Sequence, residues 1–294
     1  MLLSQVQRGT VIRVIAPQLS TILENGFELI EILKLLKEAQ REIVLTAVLD
    51  KLPMLIRDWS CLAGVLKPLS EAQRNTVLMR IGDGVLKLQG DGYHLAETLV
   101  HLNKVQRNTV FTLIGYQFSS FIVKGAFGAI LKLLSKAECR ALLKTIENQL
   151  LGLMKHHLIE TLKVLDKARR EILLKAIGNQ LLEIIKDGAV LKMMFETLDD
   201  STQRDLVLDV MKDQLSKLML SCYPLIDILK LLNQEQCDSV LDAINEKLPR
   251  LIRNKSEWKA VSKALTEEQR LKVLDATGIF LEPEVRIIEA PKVA

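Results

Sequence analysis

Histidine and cysteine are the side chains of this chain with the widest chemical reach, and their placement argues against catalysis. His94 and His101 stand seven residues apart on one predicted helix, hence on one face, and His156 and His157 fall at a turn between helices. Neither pair has a partner at metal-ligand spacing, so ordinary surface roles are expected and no metal site. Cys61, Cys139, Cys222 and Cys237 form no Cys-x-x-Cys pair and no regular framework. Reduced, buried thiols in a cytosol-like compartment are the expectation. Cys139 and Cys237 occupy a position that is arginine in other copies of a repeat described below. With no histidine fixed beside them in sequence, they read as tolerated replacements rather than nucleophiles. Phosphate-loop, dinucleotide, zinc-protease, serine-hydrolase and calcium-loop signatures are all missing, so no cofactor is expected and the chain reads as a non-enzyme. An enzyme with an unfamiliar site near His94 and His101 is the least favoured reading.

Residues suited to binding are more regular. Arg8, Arg41, Arg74, Arg107, Arg170, Arg204 and Arg270 share one position in the first turn of a predicted helix. The helix dipole mildly disfavours a cation there, so the recurrence needs another cause. The expected one is structural: each guanidinium forks onto helix-end carbonyls or a carboxylate of the adjacent repeat and fixes the stacking register. The alternative is an exposed cationic ridge for acidic protein, phosphoinositide or nucleic acid, although seven aligned charges facing water would repel one another. A second set is aromatic. Phe27, Trp59, Tyr93, Phe127, Tyr223 and Trp258 stand at the starts of a second series of helices, where they either plug turns or anchor a partner protein. Tyr116 lies off the apolar stripe of its helix. Phe27, Trp59, Tyr93, Tyr116, Tyr223 and Trp258 are therefore the candidate partner-binding residues.

These residues are positioned by a tandem repeat of about 33 residues. Its capping residues are Ser4, Lys37, Ser70, Asn103, Ser135, Asp166, Asp200, Asn233 and Thr266. Three residues after each cap stands Gln in most copies, the spacing of a capping box, in which cap and glutamine each satisfy an orphan N–H. Counting the cap as zero, apolar residues recur at +7, +8, +11, +15 and +18, one stripe of an α-helix of about 18 residues, helix A. Pro53 and Pro249 fall at +16 and should kink that helix or split off its last turn. A second start signal near +21 (Asn25, Asp58, Asp91, Lys124, Asp187, Ser221, Asn254) opens a shorter helix B. Seven of the 14 glycines fall between Gly82 and Gly128, predicting a bend or a contact site. The fold class expected is all-α: a solenoid of about eight stacked hairpins plus a terminal helix over 1–280, then an extended tail at 281–294.

Such a hairpin array resembles the broad class of α-solenoids, the tetratricopeptide and HEAT-like proteins, over residues 3–280. The tetratricopeptide and ankyrin signatures are absent, so no binding residue carries over from those families. Regular Leu/Gln/Arg hairpins without enzymatic motifs also resemble effector or effector-regulating proteins of intracellular bacterial pathogens. That resemblance implies action on a partner protein, either in the cytoplasm or after delivery to a host cytosol. The N-terminus lacks an ordinary secretory signal, and no apolar run approaches the ~20 residues that span a bilayer. A net charge of +4 and 4% aromatic content are poor endowments for nucleic acid, which is kept as the alternative partner. A monomeric, protein-binding scaffold, adaptor or inhibitor is the leading expectation.

Overall fold

The structure, a computed structural model, describes residues 4–122 and 126–278. The tail at 281–294 and the start signal at Lys124 lie outside the described residues, as does the Tyr116 side chain. The described residues form an all-α, solenoid-type helical-repeat fold without strands; one isolated parallel bridge joins Asp58 and Gln89. The chain divides into two compact units, the first ending at Ile177 and the second starting at Gly178.

Helix A starts where the capping chemistry dictates. Reciprocal capping boxes form at Ser4, Ser70, Asn103, Ser135, Asn233 and Thr266. The expected 18-residue helix A, however, is continuous only in the first copy, Gln5–Ile22. In copies two to eight it breaks after 10 or 11 residues into a 3-10 segment, which in all but the third leads into a short α-turn. The second copy runs Glu38–Val48, Leu49–Lys51 and Leu52–Leu55. The eighth runs Gln234–Ala243, Asn245–Lys247 and Leu248–Leu251. Helix A thus consists of three helical pieces in copies two and four to eight, two in the third and one in the first.

Proline is not the cause of this break, because copies without Pro break at the same place. Two backbone solutions produce it. Val48, Ile146 and Ile244 at +11 take φ near −105 with ψ near zero, outside the helical well. In copies three, four and six glycine at +12 does it: Gly82, Gly115 and Gly178 have φ of 45°, 38° and 47°, a region L side chains rarely enter, whereas the seventh copy breaks at Met211 and Lys212 with neither device. Two of the seven glycines in the 82–128 segment, Gly82 and Gly115, therefore serve this periodic break. Pro53 and Pro249 sit in the first turn of the short α-piece, where a missing N–H costs nothing.

Helix B follows as Gly26–Leu35, Trp59–Leu66, Gly92–Val100, Ala126–Leu133 and Leu158–Val164 in the first unit. The second unit holds Gly188–Thr197, Cys222–Leu229 and Lys255–Ser262. The stripe of helix A is buried as expected: Val44, Leu45, Val48, Leu52 and Leu55 are at most 3% exposed. Each such side chain contributes roughly 1.5–3 kcal/mol. Phe111, Phe118 and Phe127 stack edge to face at 6.2 and 6.0 Å within the first unit. The B helices approach closely there. A methyl group at Gly26 would lie 2.1 Å from Cys61 Sγ and 2.8 Å from the Leu55 carbonyl oxygen.

Candidate functional site

Most of the polar residues that repeat in the sequence are consumed by stacking. The glutamine at +3 is buried in five copies (Gln73, Gln106, Gln203, Gln236 and Gln269) and does more than cap its own helix. Gln73 Nε2 donates to the Glu38 carbonyl and the Glu42 carboxylate of the previous copy, at 2.9 and 3.1 Å. Gln106 repeats this with Glu71 and Asn75, Gln236 with Ser201 and Asp205, and Gln269 with Gln234 and Asp238. The amide therefore joins consecutive A helices. The signal for it in the sequence is the Asp, Glu or Asn at +5 of the preceding copy.

The arginines at +4 stitch the B helices. Arg41, Arg74, Arg170 and Arg270 each donate Nε to a carbonyl eight residues earlier, near the C-terminal end of the preceding helix B. Arg8 and Arg204 donate Nη1 to the Leu35 and Leu231 carbonyls, 27 residues ahead, and Arg41 likewise reaches Pro68. A cation there satisfies orphan carbonyls and suits the helix dipole. Arg107 bonds the Leu102 carbonyl and the Glu138 carboxylate. The seven guanidinium groups are thus engaged with helix ends and do not form a free cationic ridge.

The fifth and sixth copies depart from the pattern together. Where arginine is expected, Cys139 offers only a thiol, 3.3 Å from the Leu131 carbonyl. Arg169, standing in the next copy where glutamine is expected, reaches back to the Leu131 and Leu134 carbonyls and takes over the role. Glu138, also at the glutamine position, instead pairs with Arg107 at 2.9 Å and is 3% exposed at its side chain. Burial works to raise its pKa, but bonds from Ser135 and Arg107 outweigh it and hold the carboxyl below the usual range. A depressed folded pKa stabilises above the unfolded value, about pH 4, and this contribution is lost as pH falls through the folded value. Urea midpoints measured from neutral pH into acid should therefore fall more steeply for the wild type than for Glu138→Gln. Parallel profiles would refute this role of Glu138.

Placement of the aromatic candidates corrects the expected row. Trp59 and Trp258 are 0% and 5% exposed, and Phe127 is 1%. Their rings plug the core, so they cannot touch a partner. Trp59 also donates its backbone N–H to Gln89 and accepts from Thr98 Oγ1, which locks its turn. Phe27, Tyr93 and Tyr223 remain exposed, at 64%, 51% and 74%. They lie in copies one, three and seven and form no continuous line. His94 bonds Asp91 at 2.9 Å as part of a helix cap. Among the described residues no group of three or more His, Cys, Asp or Glu could hold a metal ion, and no helix is long and apolar enough to cross a membrane.

A surface not anticipated from the sequence lies on the outward face of the A helices, at +1, +5, +9 and +13, an i, i+4 row. The second copy presents Glu38, Glu42, Thr46 and Asp50, and the fifth presents Lys136, Arg140, Lys144 and Asn148. In the sixth the first three are Lys167, Glu171 and Lys175. In the second unit the row is acidic: Asp205, Asp209 and Asp213, then Asp238, Asp242 and Glu246. Clefts open between consecutive A helices on this face. One, of about 560 Å³, is lined by Lys136, Arg140, Lys144, Glu147, Glu171 and Lys175, with Leu143, Ala168, Ile172 and Ala176 as its apolar part. Another, of about 420 Å³, lies between copies one and two, where Ala39, Glu42, Ile43, Thr46 and Ala47, at the positions of the sixth-copy wall of the first cleft, face Ala16 and Pro17.

No protein-family model and no curated protein matches the sequence. Among solved structures, the chain is similar to the crystal structure of PUF-8 in complex with PBE-RNA, with a TM-score of 0.50 and 9% identity. The likeness covers 91% of this chain and 86% of that one. It establishes the all-α helical-repeat class and extends no further at that identity.

Proposed function

We propose that this chain is a non-enzymatic helical-repeat protein that binds another protein along the outward face of its A helices, as a scaffold, adaptor or inhibitor. The observation that carries this reading is the charge row. Stacking uses the positions at +3 and +4, the apolar stripe and the acceptor at +5, and needs no particular sign of charge at +1, +9 and +13. Yet they carry Glu38 and Asp50 in the second copy, Lys136 and Lys144 in the fifth, Asp209 and Asp213 in the seventh, and Asp242 and Glu246 in the eighth. Blocks of alternating sign select an oppositely patterned protein surface and disfavour wrong partners. The pathogen-effector role implied by the style of the sequence rests on that style alone.

Nucleic acid is the second reading, favoured by the RNA in the PUF-8 structure and by the cations of copies four to six. A phosphate backbone would gain from Lys104, Lys136 and Lys144 but would be repelled by the acidic rows, and among the described side chains no exposed Phe, Tyr or Trp stands with those cations for stacking. A pull-down from nuclease-treated lysate separates the two readings. Asp209→Lys/Asp213→Lys and Arg140→Glu/Lys144→Glu should each reduce partner recovery by about tenfold, the scale of a single charge-assisted contact. Phe27→Ala/Tyr93→Ala/Tyr223→Ala should leave it unchanged. Loss only in the aromatic variant would place the partner on the B-helix edge, and loss on nuclease treatment alone would establish nucleic acid.

A further inference from the structure

We infer that the cleft between the A helices of the fifth and sixth copies takes an acidic peptide segment bearing aliphatic side chains. This deepens the protein-binding reading and rests on it. The cleft is about 560 Å³, within the range of preformed ligand sites. Its cations are in excess: Lys175 is neutralised by Glu171 at 2.7 Å, while Arg140 and Lys144 have no hydrogen-bond or ion-pair partner among the described residues. Lys136, Arg140 and Lys144 follow one another at i, i+4 spacing, which weakens a helix by mutual repulsion until an anion is present.

The cations are also unnecessary for building the cleft. The cleft between copies one and two shares the positions of the sixth-copy wall, with Glu42 where that wall has Glu171, and forms with no lysine or arginine in its lining. What distinguishes the cleft of copies five and six is therefore the charge of its lining, and with it the ligand that lining suits. Ile172, Ala168 and Ala176 are half-buried between the charged walls and offer aliphatic surface without an aromatic ring. That lining suits the side chains of leucine, isoleucine or valine and gives a nucleobase nothing to stack on. Carboxylates on either side of such side chains would meet Arg140 and Lys144, the arginine in bidentate geometry.

Fluorescence anisotropy with the full chain tests this. The probe is a labelled dodecapeptide of glutamate and leucine arranged on opposite faces of a helix. A labelled all-glutamate peptide and a labelled oligouridylate are the comparisons. The glutamate-leucine peptide should bind at least about tenfold more tightly than either comparison, a difference near 1.4 kcal/mol. Arg140→Glu/Lys144→Glu should abolish that preference, and Ile172→Asp should weaken binding of the glutamate-leucine peptide alone. Equal binding of the three probes would reduce the cleft to a general anion patch and overturn the inference, as would unchanged binding by the reversed variant. If the peptide arm fails while partner recovery still responds to Asp209→Lys/Asp213→Lys, the inference falls and the protein-binding reading stands. If neither responds, both fall.

Discussion

Replacing Gln236 with methionine should destabilise the unit that begins at Gly178 by about 2–4 kcal/mol, the summed cost of stranding buried hydrogen-bonding groups. Gln236 is 3% exposed. Its Nε2 donates to the Ser201 carbonyl at 2.9 Å and to Asp205 Oδ1 at 2.7 Å, and its Oε1 accepts from the Asn233 N–H at 3.2 Å. Methionine keeps the length and the packing but leaves the N–H and the carbonyl without partners. Gln236→Glu separates the two halves of the role. It retains the acceptor for the Asn233 N–H, loses the donor to Ser201, and sets a carboxylate against Asp205. Its defect should therefore shrink as pH falls and the new carboxyl takes a proton. Urea denaturation with hydrogen exchange over residues 200–250 measures both variants. A loss below about 0.5 kcal/mol for Gln236→Met, the level of an ordinary surface change, would show that the glutamine ladder does not hold the stack.

Arg169→Met should cost about 2–3 kcal/mol in the native sequence and much less in a Cys139→Arg background. The guanidinium of Arg169 holds the Leu131 and Leu134 carbonyls and pairs with Asp166. Bonds of this kind, made by a charged donor, contribute roughly 1.5–3 kcal/mol. An arginine restored at position 139 would reach the same carbonyl that Arg41, Arg74 and Arg170 reach in their own copies, eight residues back. Arg169 would then be redundant. The double-mutant cycle reads this as a coupling energy between residues 139 and 169. An identical cost of Arg169→Met in both backgrounds would refute the substitution of one arginine for the other. The same cycle bears on function, because it separates arginines spent on helix ends from the lysines and Arg140 that remain free to meet a ligand.

The cations available for binding are accordingly not the ones most regular in the sequence. The arginine ladder is largely neutralised by carbonyl dipoles, so the net charge of +4 says little about the partner. Free charge sits instead in short runs on one helix face, where its sign changes from copy to copy. A surface of this kind discriminates between partners more than it raises affinity, since rim charges mainly steer encounter and penalise mismatched surfaces.

Fold class, repeat length and the start of nearly every helix were legible in the sequence because they depend on local physics: a cap and a glutamine three residues on, and apolar residues at helical spacing. The same is true of the arginine ladder's role, since a recurrent cation in an unfavourable first turn must have acceptors nearby. The break in helix A was misread as a proline effect. Val48 and Ile244 leave the helical well although both are ordinary helix residues, because fitting +15, +18 and +19 into one core outweighs their local preference. Whether an aromatic at the start of helix B faces water was not legible either. Trp59 stands at +22 and Tyr93, like Phe27 and Tyr223, at +23, and only the close approach of neighbouring B helices, fixed by contacts such as that of Gly26 with Cys61, decides that the +23 residue is the exposed one. Sequence determined what each residue can bond to within its own turn; tertiary structure alone decided what lies one repeat away, because that distance is set by packing across copies rather than along the chain.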